Sequence, residues 1–275
     1  MTKTDDRKKI LFTDLDETLL SSDKSISPGN LEAIDEMVQK GHKFVIVTGR
    51  PLESAMIISK EHGWYREGYY ISSYNGGLIY DCYKEENIAE YPVSRQDVRF
   101  ILDRAYEAGI HAHTYEDGYV VSEHDTKEFR KYIKGIRLPG VVAESADLYL
   151  KRDPIKAIVI SWEGKEKLEA FRKSIAYHTD GRLAYTYSNP VFLEYSSLMA
   201  SKGGSVRFLC EKLGIDIADS IGCGDEENDR SMIEAAGCGV LMSNGNMALK
   251  DSADYITEND NNHDAIAEVI RKFVL

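Results

Sequence analysis

With 275 residues and 43% hydrophobic content, the chain is long enough for two modest cores and has the composition of an ordinary globular protein. Its 34 basic and 46 acidic residues give a formal charge of -12 with no basic block, which argues against nucleic acid or an anionic membrane as the main partner. Cys82, Cys210, Cys223 and Cys238 form no C-x-x-C pair, so neither a zinc site nor a disulfide framework is indicated and a reduced, cytoplasmic setting is expected.

The polar start MTKTDDRKK lacks the apolar stretch of a signal peptide, and no apolar run is long enough to span a bilayer. Ile10 to Phe12 reads as a strand buried on both faces, breaking at Thr13 into two carboxylates, Asp14 and Asp16. Ser27-Pro28 opens a helix whose apolar residues Leu31, Ile34, Met37 and Val38 recur at helical spacing up to Lys40-Gly41. Lys43 to Val47 is a second buried strand, leading to Thr48-Gly49-Arg50-Pro51 and a helix to about His62 with Pro51 in its first turn. Two successive βα units favour a parallel sheet.

Tyr69 to Ser73 and Leu78 to Cys82 flank Tyr74-Asn75-Gly76-Gly77, a hairpin signal. The rhythm then changes. From about Lys84 to Ser188 the pattern is mixed, with helices near 96–108, 126–133 and 165–177 and strands near 111–115, 119–122, 155–162 and 183–187. The βα alternation resumes with a helix at 202–213, a strand at 219–222, a helix at 228–236 and a strand at 239–242. A short helix at 246–251, an edge strand at 255–257 and a closing helix at 264–273 follow. The expectation is a discontinuous α/β core, 1–83 plus 189–275, carrying an inserted α+β module at 84–188. The sequence carries no signal for oligomeric state.

Four short segments at expected strand ends or helix starts carry chemistry: Asp14-Leu15-Asp16-Glu17-Thr18, Thr48-Gly49-Arg50, Ser201-Lys202-Gly203 and Gly224-Asp225-Glu226-Glu227-Asn228-Asp229. Each alone has a mundane reading as turn, surface lysine or acidic first turn of a helix. Carboxylates gathered at one sheet edge repel unless a hard cation joins them, and Mg²⁺ suits oxygen ligands and phosphate. An aspartate such as Asp14 can attack phosphorus, splitting one displacement into two. The resulting charge calls for the hydroxyl of Thr48, the unhindered N–H of Gly49 and the cation of Lys202. Asp16 can protonate the leaving oxygen and then activate water.

Taken together these segments resemble the haloacid dehalogenase superfamily of phosphatases, in particular its Cof-like branch with a large α+β cap. DLDETL is similar to the D-x-D-x-T motif, VTGR to the threonine motif, SKGG to the lysine motif, GDEEND to the G-D-x-x-N-D motif and GVLMSNGNMALKDSADYIT to the closing segment. The resemblance implies a Rossmann-like core with Asp14 as nucleophile and Mg²⁺ ligand, and Asp16 as general acid/base lending its backbone carbonyl to the metal. It further implies Thr48, Gly49 and Lys202 on the phosphoryl oxygens, Asp225 as a metal ligand, Asp229 supporting the metal from behind and Asn228 facing the phosphate or Lys202. Asn75 and Gly76 match a signal near the cap hinge. Glu17 stands where glycine is usual, Glu226 and Glu227 add charge, and Ser243 and Ala265 replace other glycines.

The leading expectation is a Mg²⁺-dependent phosphatase for small phosphorylated metabolites, sugar phosphates first, with pyridoxal phosphate or a flavin mononucleotide next. A phosphomutase or phosphotransferase uses the same groups, and a non-catalytic phosphoanion-binding module is the alternative from another class. For the substrate's organic part the inserted module offers His111, His113, Tyr115, Tyr185, Tyr187 and Asn189. Tyr185 and Tyr187 also fit one packed face of a strand.

Overall fold

A computed structural model describes residues 7–275; the first six residues of the polar start, and of the expected core, lie outside them. The chain opens with β1 (Ile10–Thr13), α1 (Pro28–Gln39), β2 (Lys43–Val47), α2 (Leu52–Glu61), β3 (Tyr69–Ser73), β4 (Leu78–Asp81) and β5 (Glu86–Glu90). It continues through α3 (Arg95–Glu107), β6 (His111–Glu116), β7 (Tyr119–Ser122), α4 (Lys127–Ile136), β8 (Gly140–Val142), α5 (Ala146–Tyr149), β9 (Lys156–Ile160), α6 (Lys165–Thr179), β10 (Leu183–Asn189) and β11 (Phe192–Ser197). It closes with α7 (Lys202–Leu213), β12 (Ser220–Gly224), α8 (Arg230–Ala235), β13 (Cys238–Leu241), β14 (Tyr255–Ile256) and α9 (Ala265–Phe273).

Two sheets organise these elements. The first has eight strands in the order β14-β13-β12-β1-β2-β3-β4-β5, parallel from β14 to β3 and antiparallel over β4 and β5. Successive residues of β1 serve opposite faces: Ile10 and Phe12 pack with Val206, Leu209 and Met232 of α7 and α8, whereas Leu11 packs on the side of Ile34, Met37 and Ile266 of α1 and α9. The strand is buried on both sides, hence its unbroken apolar run. Connections leave β1 towards β2 on one side while β12 lies on the other, so its carboxyl end is the topological switch point where open α/β sheets bind ligands.

The second sheet, β10-β11-β9-β6-β7-β8, is covered by α3 and α6 and has its own core around Ile101, Val159, Leu168, Phe171, Leu193 and Tyr195. The architecture is therefore the expected α/β one, a Rossmann-like parallel-sheet core with an inserted α+β part. By sheet membership the changeovers fall one strand later than 83 and 189 at both ends. β5 stays in the first sheet as a polar antiparallel edge, and β11 belongs to the second, where buried Glu194 interrupts its apolar pattern. Pro51 precedes α2 as its cap, and the helix expected over 228–236 is a 3₁₀ turn at Glu227–Asp229 followed by α8. No helix among the described residues is long and apolar enough to cross a membrane.

Candidate active site

Three strand ends of the first sheet meet at a cleft of about 480 Å³, reached by Asp14 after β1, Thr48 and Gly49 after β2, and Asp225 with Asn228 after β12. Its opposite wall is supplied by α4, β11 and the end of β10 through Tyr132, Phe192, Glu194 and Asn189. Asp16 and Glu17 also line it. Lys202 and Asp229 lie beneath the floor, nearly without exposure.

Asp14 leaves β1 with its N–H donating to the Cys223 carbonyl at 2.9 Å, which ties its backbone to β12. Lys202 begins α7, capped by Ser201 Oγ accepting from Gly204 N at 2.9 Å. Two glycines bring that helix start into place. A Cβ at Gly203 would stand 2.1 Å from the Ser231 carbonyl oxygen, and one at Gly76, at φ +93°, 2.2 Å from the Ser201 carbonyl oxygen. Lys202 Nζ then donates to Asp14 Oδ1 and Asp229 Oδ1, each at 2.5 Å. The second oxygen of Asp229 accepts from the backbone N–H groups of Asp225 (3.0 Å) and Glu226 (3.1 Å). Thr18 Oγ1 donates to Asp225 Oδ1 at 2.8 Å.

Carboxylate oxygens of Asp14, Asp225 and Asp229 lie within 4.8 Å of one another, all buried. Burial pushes the Asp14 carboxyl up, Lys202 pulls it down, and Asp229 and Asp225 push it up again; the net direction is upward. Burial, then the charge of Asp229, raises Asp225 to about 7 against the Thr18 hydrogen bond and Lys202. Burial works against the Lys202 ammonium, but Asp14 and Asp229 outweigh it and keep it charged. A hard cation fits this donor set. Both Asp229 oxygens are engaged by Lys202 and backbone N–H groups, so Asp14 and Asp225 are the two with an oxygen to offer.

Thr48 Oγ1 accepts from Arg50 N at 3.1 Å, and the Thr48 carbonyl from Asn75 N at 2.9 Å, so the second strand's exit is laced to the turn between β3 and β4. The Gly49 carbonyl accepts from Lys156 Nζ at 2.7 Å; Lys156 and Glu194, both buried, pair at 3.0 Å, and Asn75 Nδ2 donates to Glu194 at 2.9 Å. Asp16 turns its carboxylate to Arg50, which donates from Nε at 2.8 Å and Nη2 at 2.5 Å, with Lys24 Nζ at 3.4 Å. Burial pushes Asp16 up, yet the Arg50 hydrogen bonds and charge, aided by Lys24, bring it below the ordinary carboxylate range. Glu17, at φ 58°, accepts from Lys24 (2.7 Å), Asn261 (3.1 Å) and Ser22 (3.3 Å), while its carbonyl accepts from Asn244 at 2.8 Å.

Of the six residues expected for the substrate's organic part, only Asn189 lines the cleft. His111, His113 and Tyr115 are buried inside the inserted part; Tyr185 carries Arg172 over its exposed ring, and Tyr187 donates to Glu169 at 2.7 Å. Arg50, Lys24, Lys156 and Glu194 went unassigned in the sequence. For Lys156 and Glu194 a signal existed, because a charge inside the apolar strands PIKAIVI and VFLEYSS demands a buried partner.

Comparison with known proteins adds the lineage. A family model described as haloacid dehalogenase-like hydrolase matches residues 11–270. A crystal structure of a haloacid dehalogenase-like hydrolase from Bacteroides thetaiotaomicron is similar with a TM-score of 0.89 at 28% identity, covering 97% of this chain and 99% of that one. The 5-amino-6-(5-phospho-D-ribitylamino)uracil phosphatase of Bacillus subtilis is 28% identical over 97% of this chain and 96% of its own length. The pyridoxal phosphate phosphatase of Escherichia coli is 25% identical over 95% of this chain and 97% of its own. The chain thus belongs to the haloacid dehalogenase-like hydrolases, as a phosphatase of their Cof-like branch.

Proposed function

We propose that the protein is a Mg²⁺-dependent phosphatase hydrolysing small phosphorylated metabolites, sugar phosphates foremost, through an aspartyl-phosphate on Asp14. The observation that carries this reading is the fully buried Lys202 ammonium between Asp14 and Asp229 under the cleft. Buried ion pairs of this kind are costly scaffolding, and one at the carboxyl end of a central parallel strand is better explained by a substrate's charge.

In this mechanism Asp14 attacks phosphorus while Thr48, the Gly49 N–H and Lys202 hold the phosphoryl oxygens, with Asn228 beside them. Asp14 and Asp225 would hold Mg²⁺, together with the Asp16 backbone carbonyl, and Asp229 would back them by orienting Lys202 and the 225–226 backbone. When bound, the ion supplies positive charge against the phosphoryl oxygens and allows the neighbouring carboxylates to ionise. Asp16 delivers a proton to the leaving oxygen and then takes one from water, which requires that it exchange its Arg50 partner for the reacting oxygen. The ring-bearing substrates named for two relatives are compatible with a cleft wall that includes Trp162, Phe192 and Tyr132.

Turnover in ¹⁸O-labelled water tests the reaction type. A phosphatase places label in released phosphate at every turnover. A mutase or phosphotransferase passes the group to another hydroxyl and leaves the phosphoryl oxygens unlabelled, which would overturn the hydrolase assignment.

A further inference from the structure

Thr48, Gly49 and Arg50 leave β2 as a segment whose backbone polar groups can be followed one by one. Thr48 N donates to the Ser72 carbonyl at 2.8 Å, and the Thr48 carbonyl accepts from Asn75 N at 2.9 Å. Arg50 N donates to Thr48 Oγ1 at 3.1 Å, and the Arg50 carbonyl accepts from Tyr74 N at 3.0 Å. The Gly49 N–H alone has no partner among the described residues, and Gly49 lines the cleft. A trans peptide sets its N–H and C=O on opposite sides, so the Asn75 bond to the Thr48 carbonyl turns that N–H the other way. One group of the segment is held from outside the first sheet: the Gly49 carbonyl accepts at 2.7 Å from Nζ of Lys156, on β9 of the second.

Lys156 is 1% exposed. Besides the Gly49 carbonyl, its Nζ has Glu194 Oε2 at 3.0 Å and the ring centroids of Tyr74 and Tyr115 at 5.6 and 5.7 Å. Glu194 Oε2 also accepts from Asn75 Nδ2 at 2.9 Å, and its Oε1 from Ser188 Oγ at 2.8 Å. Asn75 and Lys156, which hold two successive carbonyls of the segment, therefore share one carboxylate oxygen. Apolar residues fill the place of a buried ion pair at least as well. What they would lack here is a donor for the Gly49 carbonyl.

The direction of each of these bonds is fixed by its chemistry. An ammonium and a peptide N–H only donate and a carbonyl only accepts, so Lys156 acts on the Gly49 carbonyl and, through the same peptide, on the Arg50 N–H. A cation at a carbonyl polarises its peptide and strengthens the N–H at the other end as a donor. The Arg50 N–H occupies a lone pair of Thr48 Oγ1 and turns the hydroxyl proton away from Arg50. An unprotonated phosphoryl oxygen only accepts, and it takes that proton.

We propose that Lys156 is a positioning residue for phosphoryl transfer. It reaches from the inserted part to fix the Gly49–Arg50 peptide, and through the Arg50 N–H it aims and strengthens the Thr48 hydroxyl on the phosphoryl oxygen, with Glu194 holding it there. The proposal rests on the phosphatase reading above. Lys156 touches no reacting atom. The inserted part thereby acts on the phosphoryl-holding segment and not only on the organic part of the substrate.

The test uses Lys156→Met/Glu194→Gln, which leaves no buried charge alone, with Mg²⁺ and acetyl phosphate, a substrate with little organic part. Its kcat/KM should fall about tenfold, as for loss of one charge-assisted hydrogen bond. Added to Thr48→Val, the same pair of substitutions should cost less than about twofold, because the hydroxyl through which Lys156 acts is gone. An equal loss in both backgrounds, or no loss on acetyl phosphate, would overturn the proposal. NMR reads the relay without turnover: the Arg50 amide proton should move upfield in the double variant as its bond to Thr48 weakens, and an unchanged resonance would overturn it. If the double variant does not fold, Lys156→Gln carries both comparisons with the same signs. If the wild-type protein turns over no phosphate ester, the phosphatase reading falls, and the Arg50 resonance alone still decides whether Lys156 sets the segment.

Discussion

Arg50 closes on both carboxylate oxygens of Asp16, Nε to Oδ2 at 2.8 Å and Nη2 to Oδ1 at 2.5 Å, an arrangement that favours the ionised form of the proposed general acid. Lys24, 3.4 Å from the same carboxylate, adds to that bias. Both cations favour the charged form, so removing one raises the pH at which Asp16 gives up its proton. Lys24→Met should move the descending limb of the kcat–pH profile for alkyl phosphates towards higher pH, by at most about one unit given the exposure of Lys24. A shift towards lower pH would contradict the assignment of Asp16.

Lys202 holds two buried carboxylates apart, and deleting its charge leaves them facing each other. Lys202→Met should destabilise the metal-free protein by about 3–5 kcal/mol in denaturant titrations and abolish turnover. Adding Asp229→Asn should recover part of the stability and none of the activity. Full additivity of the two substitutions would show that the pair does not interact.

Asp225, raised to about 7, and Asp14, raised with it, fix the sign of a metal effect. A carboxyl whose folded pKa exceeds its unfolded value contributes stability that is fully present below the unfolded pKa and is lost as pH rises through the folded one. The metal-free protein should therefore lose stability between about pH 4 and pH 7 from these groups. Mg²⁺, which binds the ionised form, should raise Tm more at pH 8 than at pH 6. Calorimetric or fluorescence melts with and without the ion measure this; a shift independent of pH would show that Asp14 and Asp225 are not its ligands.

Glu17 combines a left-handed backbone with a carboxylate bound to Lys24, Asn261 and Ser22. Glu17→Ala and Glu17→Gly both delete those bonds, and only alanine keeps the unfavourable φ. The glycine variant should be more stable than the alanine variant by about 1 kcal/mol, read from urea midpoints. The reverse order would mean that the backbone at 17 relaxes once the side chain is gone.

Strands and helices with an unbroken period were legible in the sequence, as were the residues that meet at the switch point. Ile10 to Phe12 and Phe44 to Val47 are buried on both faces, and Ser201 and Gly214 bracket α7 at its two ends. The inserted part was less legible because its strands carry buried polar groups. Lys156 and Glu194 stand as lone charges in apolar strands, and their partners become visible only in the pairing of β9 with β11, while His111, His113 and Tyr115 read as a ligand wall although they satisfy one another inside. Tyr132 was invisible among the charged residues of α4, since only tertiary packing turns it to the cleft.

The central claim, a phosphoryl group carried on Asp14, is tested most directly by rapid mixing of the Asp16→Asn variant with para-nitrophenyl phosphate and Mg²⁺. That leaving group needs no proton, so the first step proceeds while hydrolysis of the intermediate, deprived of its base, stalls. The prediction is a burst of nitrophenolate equal to the enzyme concentration, with a phosphoryl adduct on the peptide containing Asp14 in acid-quenched samples. Nitrophenolate release without a burst, or an adduct on any other residue, would contradict it.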